Sequence, residues 1–179
     1  GINSAIVRTA SDTINVVNRY WKLGGKIQWL AQTYPKDDDV ISNTQWAIDT
    51  GASAVYIQGN IADRWLSAGR IDLFESWVSH FHGKGIPIGI GAHELDVVKT
   101  IENNGYPVDF YMKTLHPHNY WSFQAEEPKP KVIENKKDNY WSRTPQQTID
   151  FMKSVNKPWI AFKIFAAGAI KPEDGFKYA

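Results

Sequence analysis

Short β-rich runs alternate with longer amphipathic stretches along the chain, and few folds accommodate that alternation. Residues 2–7, 26–34, 53–60, 86–94, 108–116 and 158–170 read as strands. Between the first two lies "SDTINVVNRYWKLGG", with Ser11 or Asp12 placed to cap a helix and Gly24-Gly25 to stop it. The acidic residues 37–39 open a second helix through "DVISNTQWAIDTG", closed at Gly51, with negative charge at the positive end of the helix dipole. In "RIDLFESWVSHFHGKG" the apolar residues Ile71, Phe74, Trp77, Val78 and Phe81 recur at threes and fours. "LDVVKTIENNG" supplies the next helix, Thr144-Pro145 starts another with proline at its first position, and Pro172, Glu173 and Asp174 form the first turn of a last one.

Six β–α units in succession predict a parallel sheet with right-handed crossovers. Both a doubly wound sheet and a (β/α)8 barrel of the TIM type fit. No dinucleotide-type glycine fingerprint follows the first strand, and polar residues gather where the strands end, so the barrel is the expected fold. A complete barrel has eight strands and about 250 residues; this chain has 179. The expectation is therefore an incomplete barrel holding strands two to seven of its parent, one domain over residues 1–179, with a lid-like insertion at 119–143. A compact six-stranded domain is the alternative.

Composition narrows the partners. A formal net charge of +1 gives no field that would select nucleic acid or an anionic membrane. No run approaches the roughly 20 apolar residues of a membrane helix, and "GINSAIVRTA" lacks a signal-peptide pattern. Cysteine is absent, so a metal would need His, Asp or Glu ligands. A small-molecule substrate is the expected partner, with a homo-oligomer left open. Eight tryptophans and eight tyrosines suit either a large core or stacking on sugars.

The strand ends bring chemistry-bearing residues to one mouth: Gln28 to Gln32, Gln58 with Asn60, His93 with Glu94, Lys113 with His116 and His118, and Lys163. Strand alternation pairs Lys113 with Tyr111 and Leu115, and Lys163 with Ala161 and Phe165, so either lysine could point into the barrel. Two lysines on adjacent strands would depress each other's pKa, as Schiff-base chemistry requires. Substrate anion binding and purely structural pairing are the other readings. His93, Glu94, His116 and His118 could instead hold a divalent metal, or one histidine could act as acid or base. His80 and His82, at the far end of a helix, are assigned no function.

"NYWS" occurs at 119–122 and again at 139–142, bracketing the polar segment "FQAEEPKPKVIENKKD". Tyr120 and Trp121 thus read as substrate-contacting anchors of a lid, or as pins of an ordinary loop. In "AAGAIKPEDG", Gly168 allows close approach of an anion or tight strand-to-helix packing, although Glu173 and Asp174 oppose an anion.

"MKT" on one strand and "FKIFAAGAI" on the next resemble the paired lysine strands of class I deoxyribose-phosphate aldolases. The resemblance implies a Schiff-base role for Lys113 and a tuning role for Lys163. "LHPH" and "AAGAI" depart from that family's small-residue segments, and with them from its phosphate handling. More widely, "IQWLAQ", "ASAVYIQGN", "IGAHE", "YMKTLHPHNYWS" and "KPWIAFKIFAAGAIKPEDGFKYA" resemble a family of uncharacterised bacterial TIM-barrel proteins, which implies a fold and no activity.

The lead expectation is a lyase or aldolase-like enzyme acting on a small oxygenated carbonyl or sugar-like compound. It would work through Lys113, assisted by Lys163 and His116 or His118, with no cofactor. A metal-dependent isomerase or hydrolase and a non-catalytic ligand-binding barrel fragment are the alternatives.

Overall fold

The computed structural model describes residues 2–123 and 142–179. Six parallel strands form a single curled, half-barrel sheet in simple sequence order: β1 (Ser4–Arg8), β2 (Gln28–Thr33), β3 (Ala54–Ile57), β4 (Ile88–Ala92), β5 (Phe110–Thr114) and β6 (Trp159–Phe162). The helices are α1 (Ser11–Lys22), α2 (Ser42–Thr50), α3 (Gly59–Ser67), α4 (Ile71–Phe81), α5 (Leu95–Asn103), α6 (Pro145–Met152) and α7 (Pro172–Tyr178). Among the described residues, no helix is long and apolar enough to cross a membrane.

The strand registers divide the sheet into two faces. One row runs Val7, Ala31, Val55, Ile88 and another Ile90, Tyr111, Trp159, and these side chains pack with helix residues into the main core. Helix α4 shows why: Phe74, Trp77, Val78 and Phe81 are all buried on its apolar stripe, as period-3.6 spacing dictates. The Trp77 indole N–H meets Thr44 Oγ1 at 2.9 Å, so this fully buried ring leaves no polar atom stranded. The opposite row runs Gln32, Tyr56, Gly89 and Phe110, and its Tyr56 and Phe110 join Leu30, Ala54, Met112, Ile160 and Phe162 in a smaller cluster without helix residues. Among the described residues no helix side chain packs into this cluster, on the concave interior of the half-barrel.

Three local features differ from the sequence expectation. The third strand ends at Ile57 rather than residue 60, and α3 begins at once. Its apolar residues Ile61, Ala62 and Trp65 have helical spacing, but it follows the strand with only Gln58 between, and the sequence reading places no helix there. The sixth strand stops at Phe162 rather than running to 170, because Lys163, Ala166 and Ala167 all have positive φ, at 57°, 45° and 55°, which no strand tolerates. Helix caps are also plainer than expected: Ala10, not Ser11 or Asp12, precedes α1, and Thr144 makes no side-chain cap bond at α6. Asp39 does cap the entry to α2, its Oδ1 accepting the Ile41 and Ser42 N–H groups, and Gly51 closes that helix at φ 105°.

Candidate functional site

At the C-terminal ends of β2, β3, β4 and β6 the concave face opens into a cleft of about 160 Å³. Gln32, Tyr56, Gln58, Asn60, His93, Phe162 and Lys163 line it, with Gly59, Gly91, Ala92 and Met112 as its floor. Parallel strands place these ends together although they span more than a hundred residues of sequence.

His93 is the most tightly held member. It follows β4 directly, is buried, and its Nδ1–H donates to Asp63 Oδ2 at 2.7 Å. The same carboxylate accepts the His93 backbone N–H at 3.2 Å and the Glu94 N–H at 3.0 Å. A carboxylate only accepts, so Nδ1 carries the proton and Nε2 is the basic nitrogen of the neutral ring. Burial pushes the His93 pKa below its ordinary value; the Asp63 bond opposes this, and the nearby Lys163 and Lys113 charges reinforce it. The ring also depends on Gly59: a Cβ there would lie 2.9 Å from His93 Cε1. Gly91 is bound to the same geometry, since its Cβ would meet the Ile57 carbonyl at 2.6 Å and the Gly59 N at 2.9 Å.

Asp63 does not stand out in the sequence. It sits within α3, the unanticipated helix, between the apolar residues Ala62 and Trp65, and a buried acid in that pattern is the one signal that could have marked it.

Lys163 and His93 both lie close to the Phe162 ring. The Lys163 Nζ lies 5.7 Å from the Phe162 ring centre, within cation–π range, and that ring is 6.1 Å from the His93 ring. The left-handed backbone at Lys163 costs a non-glycine residue on the order of 1 kcal/mol or more, a type of strain that concentrates at functional sites. Tyr56 O–H donates to Gln32 Oε1 at 2.9 Å, and the Gln32 amide donates in turn to the Tyr34 hydroxyl. Burial, and then Tyr34, push the Tyr56 pKa up, so this chain offers neutral hydrogen-bonding groups on the wall away from Lys163.

Lys113 lies behind the cleft rather than in it. It pairs in register with Ala92 and Ala161, in the row that faces the helices, and only 1% of it is exposed. Its Nζ donates to the carbonyls of His93 at 2.7 Å and Thr114 at 3.0 Å. Its pKa is lowered to about 8 by burial, with Asp63 and Glu94 opposing; the neighbouring lysine is not the cause. The expectation that Lys113 points into the barrel is therefore corrected: both lysines end near His93, from opposite sides of the sheet.

His116 and His118 serve the loop after β5. His116 is fully buried, Nδ1 lying 3.1 Å from the Lys163 carbonyl and its backbone N–H bonding Ser142 Oγ at 3.2 Å. His118 Nε2 lies 2.6 Å from the Ser142 carbonyl, and its ring stacks on Phe123 at 3.9 Å. Neither lines the cleft. The four residues expected as metal ligands, His93, Glu94, His116 and His118, are not gathered, and among the described residues no three His, Asp or Glu side chains form a group placed for a metal ion.

Of the expected substrate-binding residues, Gln58 and Asn60 line the cleft. Gln28 begins β2, at the opposite end of the sheet, where it pairs with Ser4; the sequence reading mistook the start of this strand for its end. Tyr120 packs on Ala166 and Ile170 and borders a separate hollow with Lys171 and Lys177. Trp121 is 87% exposed, and Gly168 lies in a shallow depression below β6. The body of the lid-like insertion, residues 124–141, lies outside the described residues.

Comparison with protein-family models, curated proteins and solved structures finds no match for the chain.

Proposed function

We propose that the half-barrel belongs to a (β/α)8 barrel of the TIM type, as its strands two to seven, and that its mouth is a lyase-type active site for small hydroxylated carbonyl or sugar-like compounds. The observation that carries this reading is the Asp63-held His93 sharing one cleft with Lys163. A neutral imidazole oriented by a buried carboxylate is the arrangement general-base catalysis needs. His93 Nε2 takes the proton of a hydroxyl on the carbon β to a carbonyl. The carbon–carbon bond then breaks, leaving one aldehyde and an enolate whose oxygen is stabilised by the Lys163 ammonium. Protonation of the enolate carbon by the imidazolium completes the cycle. Gln32, Tyr56, Gln58 and Asn60 are suited to substrate hydroxyls, and this route draws on no cofactor.

The cleft's size supports a small substrate, since a cavity of about 150 Å³ accommodates a molecule such as benzene. Relative to the aldolase resemblance, this reading moves the reacting lysine from Lys113 to Lys163. The test is proton exchange in D₂O with three- to six-carbon hydroxyaldehydes and hydroxyketones, followed by NMR. Wild-type protein is expected to exchange hydrogen on the carbon next to the carbonyl, with loss of about 10²–10⁴-fold in His93→Gln. No exchange across the panel, or exchange that survives His93→Gln, overturns the reading and favours a binding role.

A further inference from the structure

Among the described residues Lys113 is the one lysine or arginine fully buried beneath the helices, and its Nζ donates only to main-chain carbonyls there. A methionine would fill such a site without the cost of a buried charge. The reason for an ammonium lies next door. The buried Asp63 carboxylate accepts three N–H groups, two from His93 and one from Glu94. A positive charge close by further favours a buried carboxylate in its ionised form. Were His93 to supply it, the imidazole would be protonated and lost as a base.

We propose that Lys113 is a positioning residue for His93: its ammonium holds the His93 carbonyl and balances Asp63, so that the imidazole stays neutral and fixed at the cleft. This rests on the reading of His93 as the acid–base group. Asp63 reaches His93 from α3, Lys113 from β5 and Lys163 from the end of β6, while Glu94, the next residue, lies 3.7 Å from Arg143. The directions of titration agree: both lysines help to depress His93, and Asp63 opposes them.

The experiment is a pH titration of the His93 ring by ¹⁵N NMR in the full chain, in wild type, Lys113→Met and Lys113→Arg. Wild type is expected to show the Nδ1–H tautomer, with a second inflection at His93 near pH 8 as Lys113 loses its proton. Lys113→Met should raise the His93 pKa and Lys113→Arg should restore it. An unchanged His93 titration in Lys113→Met overturns the proposal. If that variant does not fold, the absence of the wild-type inflection near pH 8 does so. These readouts need no turnover, so a protein that exchanges no substrate hydrogen yet shows the shift overturns only the lyase reading.

Discussion

Lys113 and Lys163 occupy comparable places in sequence, each at the end of an apolar strand, yet the sheet sends them to opposite sides. Lys113 keeps strand alternation and falls in the row with Ala92 and Ala161, beneath the helices. Lys163 lies one residue past the last strand pair, and its positive φ turns the chain so that the side chain joins the cleft. The covered face holds the large apolar residues and the structural cation; the concave face holds the amides, the imidazole edge and the second cation. Residue type alone does not separate a lysine beneath the helices from one at the cleft. Register places the first, and the backbone turn at Lys163 places the second.

The division between the faces can be broken by substitution. On the covered face Trp77→Ala should cost about 3–5 kcal/mol of unfolding free energy, read by denaturant titration, with the His93 titration of the folded protein unchanged. Asp63→Asn should lose about 10²–10⁴-fold in the exchange assay, with a smaller cost in stability, about 1–3 kcal/mol, because the amide nitrogen cannot accept an N–H, and Lys163→Met should lose about 10²–10³-fold in exchange. Equal losses from all three in stability would erase the distinction.

Lys113 also gives the comparison a pH dependence. Its folded pKa, about 8, lies below the ordinary 10.5, so the unfolded chain binds more protons between those values and stability rises with pH across that window. The cost of burying the charge is full below pH 8 and is relieved by pH 10.5, on the order of 3 kcal/mol. The stability of wild type minus that of Lys113→Met should climb accordingly in denaturant titrations at pH 7.5 and 10; a flat difference would mean that Lys113 is not buried as a cation. The smallest effect is at Lys163→Gly, which should raise stability by roughly 0.5–1 kcal/mol by relieving the left-handed backbone while losing exchange as Lys163→Met does.

Much of this architecture is legible in the sequence. The apolar threes and fours of α4 and the short β-branched runs of β3 and β4 specify six parallel units, and His93, Gln58, Asn60 and Lys163 are legible as strand-end polar residues. Two kinds of information are not. A side chain at the strand end has two faces open to it, and only the register with Ala92 assigns Lys113 to the covered one. Asp63 is invisible for another reason: its role depends on α3 packing against the end of β4, a contact between segments thirty residues apart. His116 and His118 mislead because His-Pro-His spacing suits a ligand pair and a hydrogen-bonded loop equally, and here both rings lie against main-chain carbonyls.

The most direct measurement is the ¹⁵N NMR titration of the His93 imidazole in wild type and Lys163→Met. If His93 and Lys163 share the cleft, His93 titrates below 6.5 as the Nδ1–H tautomer, and removing the Lys163 charge raises that value. A His93 that titrates at or above 6.5, or that is indifferent to Lys163→Met, would contradict the account.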